Sequence, residues 1–220
     1  MVDAVIFDLD GVLIDSEPVW EEVRRRYVAD RGGVWRPEAQ RRLMGMSTSE
    51  WAEYLSRDLG VALPPGQVAR DVVGEMLRRY RSTVPLIDGS DDVVRQVAQE
   101  WPVGLASSSP PELIRTAIDA AGLTATFAVM ISTEEVRRGK PAPDVYLAVA
   151  ERLGVSPARC VAVEDSSNGI RSAAAAGMRV IAVPHAHYPI DDEARARAAL
   201  TVDHIGAVSP EAIRTAGSVP

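Results

Sequence analysis

Along the 220 residues, short unbroken apolar runs alternate with longer stretches whose apolar positions recur every three or four residues. The runs are Ala4 to Phe7, Val103 to Ala106, Phe127 to Ile131, Cys160 to Val163 and Val180 to Val183, with a weaker one near Leu200 to Val202. Runs this short and this apolar suit strands buried on both faces of a parallel sheet. Helical spacing covers Asp91 to Glu100, Pro111 to Ala121, Asp144 to Leu153 and Asn168 to Ala176. Ser109 or Pro110 is placed to begin one helix, and Gly122, Gly154 and Gly177 to end three. The alternation predicts an α/β fold of βαβ units around a parallel sheet.

One segment breaks the pattern. Between Ser16 and about Thr83 no strand-like run occurs, only helical patterns at Val19 to Arg31, Pro37 to Leu43, Ser49 to Leu59 and Gln67 to Arg81. A connection of that length is a helical insertion rather than a loop. The expected division is a core of residues 1–15 and 84–220 and an all-helical cap of residues 16–83, rooted where a lid would be. Ala216 to Pro220 carry little signal, and no internal repeat is visible.

Composition narrows the classes. A hydrophobic content of 46% supports one sizeable domain with an insertion. No stretch is long and apolar enough to span a bilayer, and no signal peptide is visible, so a cytoplasmic, non-membrane protein is expected. A single cysteine, Cys160, sits in an apolar run and reads as a core residue. The net charge of −7 argues against a nucleic-acid partner. Of the 24 basic residues only Lys140 is a lysine, a compact ammonium retained among 23 planar guanidiniums.

In an open parallel sheet, ligands bind beyond the carboxyl ends of the strands. There the chain delivers Asp8 and Asp10, then Ser107 with Ser108 and Ser109, then Glu164 and Asp165 with Asn168 close behind. Lys140 precedes the Asp144 helix. Carboxylates, a hydroxyl and an ammonium suit a phosphate bound beside a divalent cation. Magnesium takes hard oxygens and few carboxylates; Asp8 and Asp165 are the best candidates, and the Asp10 backbone carbonyl can add a third oxygen. Asp8 could attack phosphorus to form an aspartyl phosphate. Asp10 could protonate the leaving alcohol and later deprotonate water, while Ser107 and Lys140 hold phosphoryl oxygens.

Rival readings are weaker. A calcium loop needs its glycine sixth, whereas Gly11 is fourth when Asp8 is counted as the first position. His185 and His187 lack an evident third ligand and read as surface histidines. Trp35, Trp51 and Trp101 read as packing. No P-loop, G-x-G-x-x-G or G-x-S-x-G element occurs.

The stretches "DLDGVLIDSEP", "LASSS", "GKPAPDVY" and "VEDSSNG" resemble, in order, the four motifs of the haloacid dehalogenase superfamily of aspartate-nucleophile phosphotransferases. The nearest likeness is to its β-phosphoglucomutase-like phosphatases with a helical cap. The resemblance implies a Rossmann-like doubly wound parallel sheet, a four- or five-helix cap and magnesium. It makes Asp8 the nucleophile, Asp10 the acid/base, Ser107 and Lys140 phosphate holders and Asp165 a metal ligand, with Glu164 assisting at the metal. Ser108, Asn168, Glu17, Trp20, Gly45, Met46 and Ser47 are then candidates to contact substrate.

Departures bear on substrate. Trp20 stands where the mutases of this group carry a histidine, Met44 and Thr48 where they carry lysine and arginine, and Pro110 where they carry lysine. A mutase must hold a second phosphate, which asks for cations in the cap. The dehalogenases proper lack the second acid supplied here by Asp10. The expected activity is therefore magnesium-dependent hydrolysis of a small phosphorylated metabolite, a sugar or sugar-alcohol phosphate, by a monomer or homodimer. A β-phosphoglucomutase-like isomerase is the alternative, and a binding protein on an inactive scaffold a third reading.

Overall fold

In the computed structural model, which describes residues 1–43, 46–185 and 189–218, six parallel strands form one sheet. They are β1 (Ala4–Phe7), β2 (Val103–Ser107), β3 (Phe127–Ser132), β4 (Cys160–Glu164), β5 (Arg179–Ala182) and β6 (Leu200–Thr201), in spatial order β3-β2-β1-β4-β5-β6. Helices α5 (Ser90–Val97), α6 (Pro111–Ala120), α7 (Asp144–Leu153), α8 (Ser167–Ala175), α9 (Asp192–Arg195) and α10 (Pro210–Ser218) accompany them.

Strand β1 shows why its run carries no polar residue. Val5 and Phe7 pack with Val93 and Val94 of α5, Leu113 of α6 and Ile213 of α10. Ala4 and Ile6 point the other way, onto Val145 and Val149 of α7 and Ile170 of α8. Alternate side chains leave opposite faces of a strand, so both faces are covered and the sheet is doubly wound. Each large aliphatic side chain buried this way contributes about 1.5–3 kcal/mol.

Four helices lie between β1 and α5: α1 (Glu17–Asp30), α2 (Ala39–Leu43), α3 (Thr48–Arg57) and α4 (Pro65–Ser82). Trp20, Val23 and Tyr27 of α1, Trp51 and Leu55 of α3 and Val68, Val72 and Met76 of α4 form their common interior. The segment leaves and returns through adjacent strands of chain. Ile14 bridges Leu86 in antiparallel fashion, the Asp15 amide donates to Pro85 O at 2.8 Å, and the Ile87 amide to Leu13 O at 2.9 Å.

Two helices lie outside the periodic stretches. Helix α9 is a single turn capped by Asp191, whose side chain accepts from the Ala194 amide. Helix α10 buries only Ile213 and Ala216, too few apolar positions to mark a period. Strands β2 and β4 run one residue further than their apolar runs, because Ser107 and Glu164 still pair with Ser132 and Ala182. No helix among the described residues is long and apolar enough to cross a membrane.

Candidate active site

The chain winds outward from β1 to β2 and β3, then returns to place β4 on the other side of β1. The order therefore reverses between β1 and β4, the crevice where open sheets bind ligands. Phe7 pairs with Val163 in that crevice, and the Asp8 amide donates to Val163 O at 3.0 Å. Asp8 and Asp165 thus leave neighbouring strands on the same edge. The chain then turns tightly at Gly11, whose φ is +79°. A Cβ built there would lie 2.0 Å from Asp165 Oδ2, so only glycine gives both the conformation and the clearance. Val12, Leu13 and Ile14 plug the core behind the turn, which accounts for three apolar residues directly after two acids.

The carboxylates are held in different ways. Asp10 accepts from Ser16 Oγ at 2.6 Å, Ser109 Oγ at 2.8 Å and Ser107 Oγ at 3.1 Å, so three hydroxyls fix it. Glu164 is fully buried and accepts from four donors: Lys140 Nζ at 2.6 Å, Tyr146 OH at 2.7 Å, Ser166 Oγ at 3.1 Å and the Ser166 amide at 3.3 Å. Gly169 makes room for it, since a Cβ there would lie 1.8 Å from Glu164 Oε1.

Lys140 sits between the two strand ends. Its Nζ donates to Ala106 O at 3.1 Å and to Glu164, and ion-pairs with Asp8 Oδ1 at 2.9 Å, off the hydrogen-bonding direction. Burial pushes its ammonium down, but the charges of Asp8 and Glu164 reverse this and leave the pKa raised. Burial, then the Glu164 charge, raise Asp8 to about 8 against the pull of Lys140. The same two causes, joined by Asp8, hold Asp165 well above the usual carboxylate range. Three acids around one ammonium lack positive charge.

The donor set fits a divalent cation. Asp8, Glu164 and Asp165 offer oxygens within 4.8 Å of one another. Among the described residues, Asp165 Oδ1 is buried without a partner and Asp8 Oδ1 has only the ion pair with Lys140, a deficit of positive charge that a hard cation relieves. Glu164, with its oxygens already taken, fits better as the anchor of Lys140 than as a ligand.

A cavity of about 380 Å³ opens over these groups. The sheet side contributes Asp8, Asp10, Ser108, Lys140, Asp165 and Asn168, and the helical segment Glu17, Trp20, Arg24, Met46 and Trp51. Ser107 and Glu164 lie beneath the wall, fully buried. Ser47 does not reach the cavity; its hydroxyl and the Glu50 carboxylate form the capping box of α3. Gly45, together with Met44 and His187, lies outside the described residues. His185 differs from a surface histidine: it lines the cavity, with Nε2 3.6 Å from Asp15 Oδ1. Ser16 and Tyr146, which brace the acids, fall inside the stretches DLDGVLIDSEP and GKPAPDVY without a role of their own there; Arg24, in the wall, lies in none of the four stretches.

A family model described as haloacid dehalogenase-like hydrolase matches residues 2–177. Hexitol phosphatase B of Escherichia coli K12 is 37% identical over 188 residues, covering 82% of this chain and 83% of that protein. A phosphorylated carbohydrates phosphatase of Thermotoga maritima is 31% identical over 214 residues, covering 96% of each. The crystal structure of CbbY from Rhodobacter sphaeroides in complex with phosphate superposes with a TM-score of 0.86 at 25% identity, covering 97% of this chain and all of that one.

Proposed function

The chain belongs to the haloacid dehalogenase-like hydrolases, and we propose that it is a magnesium-dependent phosphatase acting on a small phosphorylated metabolite, a sugar or sugar-alcohol phosphate. The observation that carries this reading is the convergence of Asp8, Asp165 and Lys140 at one cavity, with Asp165 Oδ1 buried without a partner and Asp8 Oδ1 held only by the Lys140 ammonium. The names of the relatives support the carbohydrate part of the reading.

Asp8 and Asp165, with the Asp10 backbone carbonyl, would hold the magnesium, which neutralises charge between an anionic nucleophile and an anionic ester. The Asp8 carboxylate attacks phosphorus; the new O–P bond forms as the ester P–O bond breaks. Asp10, aimed by its three serine hydroxyls, gives a proton to the leaving alkoxide. Asp10 then takes a proton from water, which attacks the phosphorus, frees inorganic phosphate and restores Asp8. Lys140 would steady the phosphoryl oxygens beside Asp8, its position set by Glu164. Ser107, buried below Asp10, serves by orienting it.

Residues 16–83 are proposed as the cap and residues 1–15 and 84–220 as the catalytic core. The cap would close the wet side of the cavity during transfer. Thr48 Oγ1 of α3 donates to Glu134 Oε1 at 2.6 Å, a polar contact across that boundary.

The test is release of inorganic phosphate from a panel of sugar, sugar-alcohol and aryl phosphates, with and without magnesium. Metal-dependent release with carbohydrate esters ahead supports the reading. Absence of release overturns it, and conversion of β-glucose 1-phosphate to the 6-phosphate with a bisphosphate primer replaces it with isomerisation.

A further inference from the structure

Arg24 is a charged group in the cavity wall that neither the proposed chemistry nor any ion pair among the described residues uses. Glu17, Trp20 and Arg24 follow one another at spacings of three and four on α1, which stacks them on one helix face. Arg24 is only 5% exposed, yet it lines the cavity. Its guanidinium lies 4.4 Å from the Trp20 ring centroid and 5.0 Å from that of Trp51. The two indoles are themselves 5.9 Å apart and tilted by 57°. Among the described residues no hydrogen bond or ion pair engages this guanidinium, and its Nε is buried without a partner. Surface arginines here find carboxylates readily, as Arg79 does with Glu22 and Arg171 with Asp191. Burial lowers Arg24 to about 10, and the more distant charges of Glu17 and Asp10 only partly offset this. A buried cation held by two aromatic rings, with its donors left over, is prepared for a ligand.

The neighbouring acceptor says which ligand. Glu17 Oε2 accepts from Gln40 Nε2 at 2.7 Å, which fixes the carboxylate and leaves its other oxygen to accept. A donor and an acceptor two turns apart on one helix face, both lining the cavity, match a chain of hydroxyls, each of which can give and take a hydrogen bond. An anionic group only accepts, and would meet Asp10, Asp15 and Glu17 in the same wall. We propose that Arg24 and Glu17 read the hydroxyl groups of the substrate's carbon chain, so that selectivity for polyhydroxylated esters resides on α1. This rests on the phosphatase reading of the cavity.

The test compares kcat/KM for a hexitol phosphate with that for p-nitrophenyl phosphate, which has no hydroxylated chain, in the parent, Arg24→Met, Arg24→Lys and Glu17→Gln. The ratio is expected to fall about 10- to 100-fold in Arg24→Met, chiefly through KM, as for loss of a charge-assisted hydrogen bond. Arg24→Lys should fall between, since an ammonium keeps the charge without the planar fork. A ratio unchanged in every variant that retains the parent circular dichroism spectrum overturns the proposal and leaves Arg24 as packing. A parent that prefers a hexose bisphosphate, with that preference lost in Arg24→Met, overturns it in favour of an anion site. No metal-dependent hydrolysis of p-nitrophenyl phosphate by the parent defeats the phosphatase reading itself, which is a separate failure.

Discussion

Lys140 and Glu164 form a buried ion pair at the floor of the cavity, with Nζ 2.6 Å from Oε1. The same ammonium lies 2.9 Å from Asp8, so one side chain ties the ends of β1 and β4 together across the crevice. Removing one partner of a buried pair strands the other charge, at a cost of about 3–5 kcal/mol. Lys140→Met should lose that stability in urea unfolding and lose phosphate release as well. A variant as stable as the parent contradicts the pairing described here.

Asp8→Asn removes the proposed nucleophile while keeping its shape, and takes one acid from a cluster short of positive charge. Turnover of p-nitrophenyl phosphate should drop below about a thousandth of the parent rate, a loss of roughly 4 kcal/mol in transition-state stabilisation. The thermal midpoint should hold or rise. A variant with half the parent rate excludes Asp8 as the phosphorylated group.

Magnesium should also act on the folded chain without any substrate. A cation that binds only the native state stabilises it by about 2.7 kcal/mol at a hundred times its dissociation constant. The parent midpoint should therefore rise with added magnesium and fall back with chelator, while Asp165→Asn should respond much less. An equal shift in both proteins places the cation elsewhere.

Gly169→Ala tests the packing around Glu164. A methyl group there would overlap the carboxylate, 1.8 Å from Oε1, and the helix that carries it cannot yield cheaply. A cost of about 1–3 kcal/mol is expected from overpacking, with turnover lost as Lys140 is displaced. A variant with parent activity and midpoint shows that Glu164 has room the structure denies.

Asp191 supplies the pH-dependent case. The Ala194 amide, then Arg171, hold its carboxyl down to about 2, against an ordinary value of about 3.9. A depressed folded-state pKa contributes stability above the unfolded value and loses it as pH falls through the folded one. The midpoint gap between the parent and Asp191→Asn should be full above about pH 4 and close toward pH 2. A gap that is constant across this window removes the carboxylate as its source.

The sheet was readable because β1, β2 and β4 are buried along their whole length and β5 over three of its four residues, while β3, at the edge with Ala128 exposed, still keeps an unbroken apolar run. The acids were readable because each strand end must deliver its chemistry at the same edge. What local spacing does not show is the division of labour between adjacent residues. Glu164 is still within the ladder and turns to Lys140 and Tyr146, whereas Asp165 lies just past it with a free oxygen. Tyr146 braces Glu164 from a helix 18 residues earlier in the chain. Arg24 was hidden for a related reason: an arginine on a helix reads as solvent-facing, and only the tertiary arrangement sets it between Trp20 and Trp51.

The stem beside Ile14 and Leu86 has a wider meaning. Where the four-helix excursion departs and rejoins, its two ends are a single hydrogen bond apart, from Asp15 to Pro85. Anything that begins and finishes at that doorway can be lengthened, shortened or exchanged while β1 keeps its pairing with β2 and β4. If residues 16–83 are the cap proposed above, reaction chemistry and molecular recognition would be stored in separable stretches of one polypeptide, free to diversify at different rates.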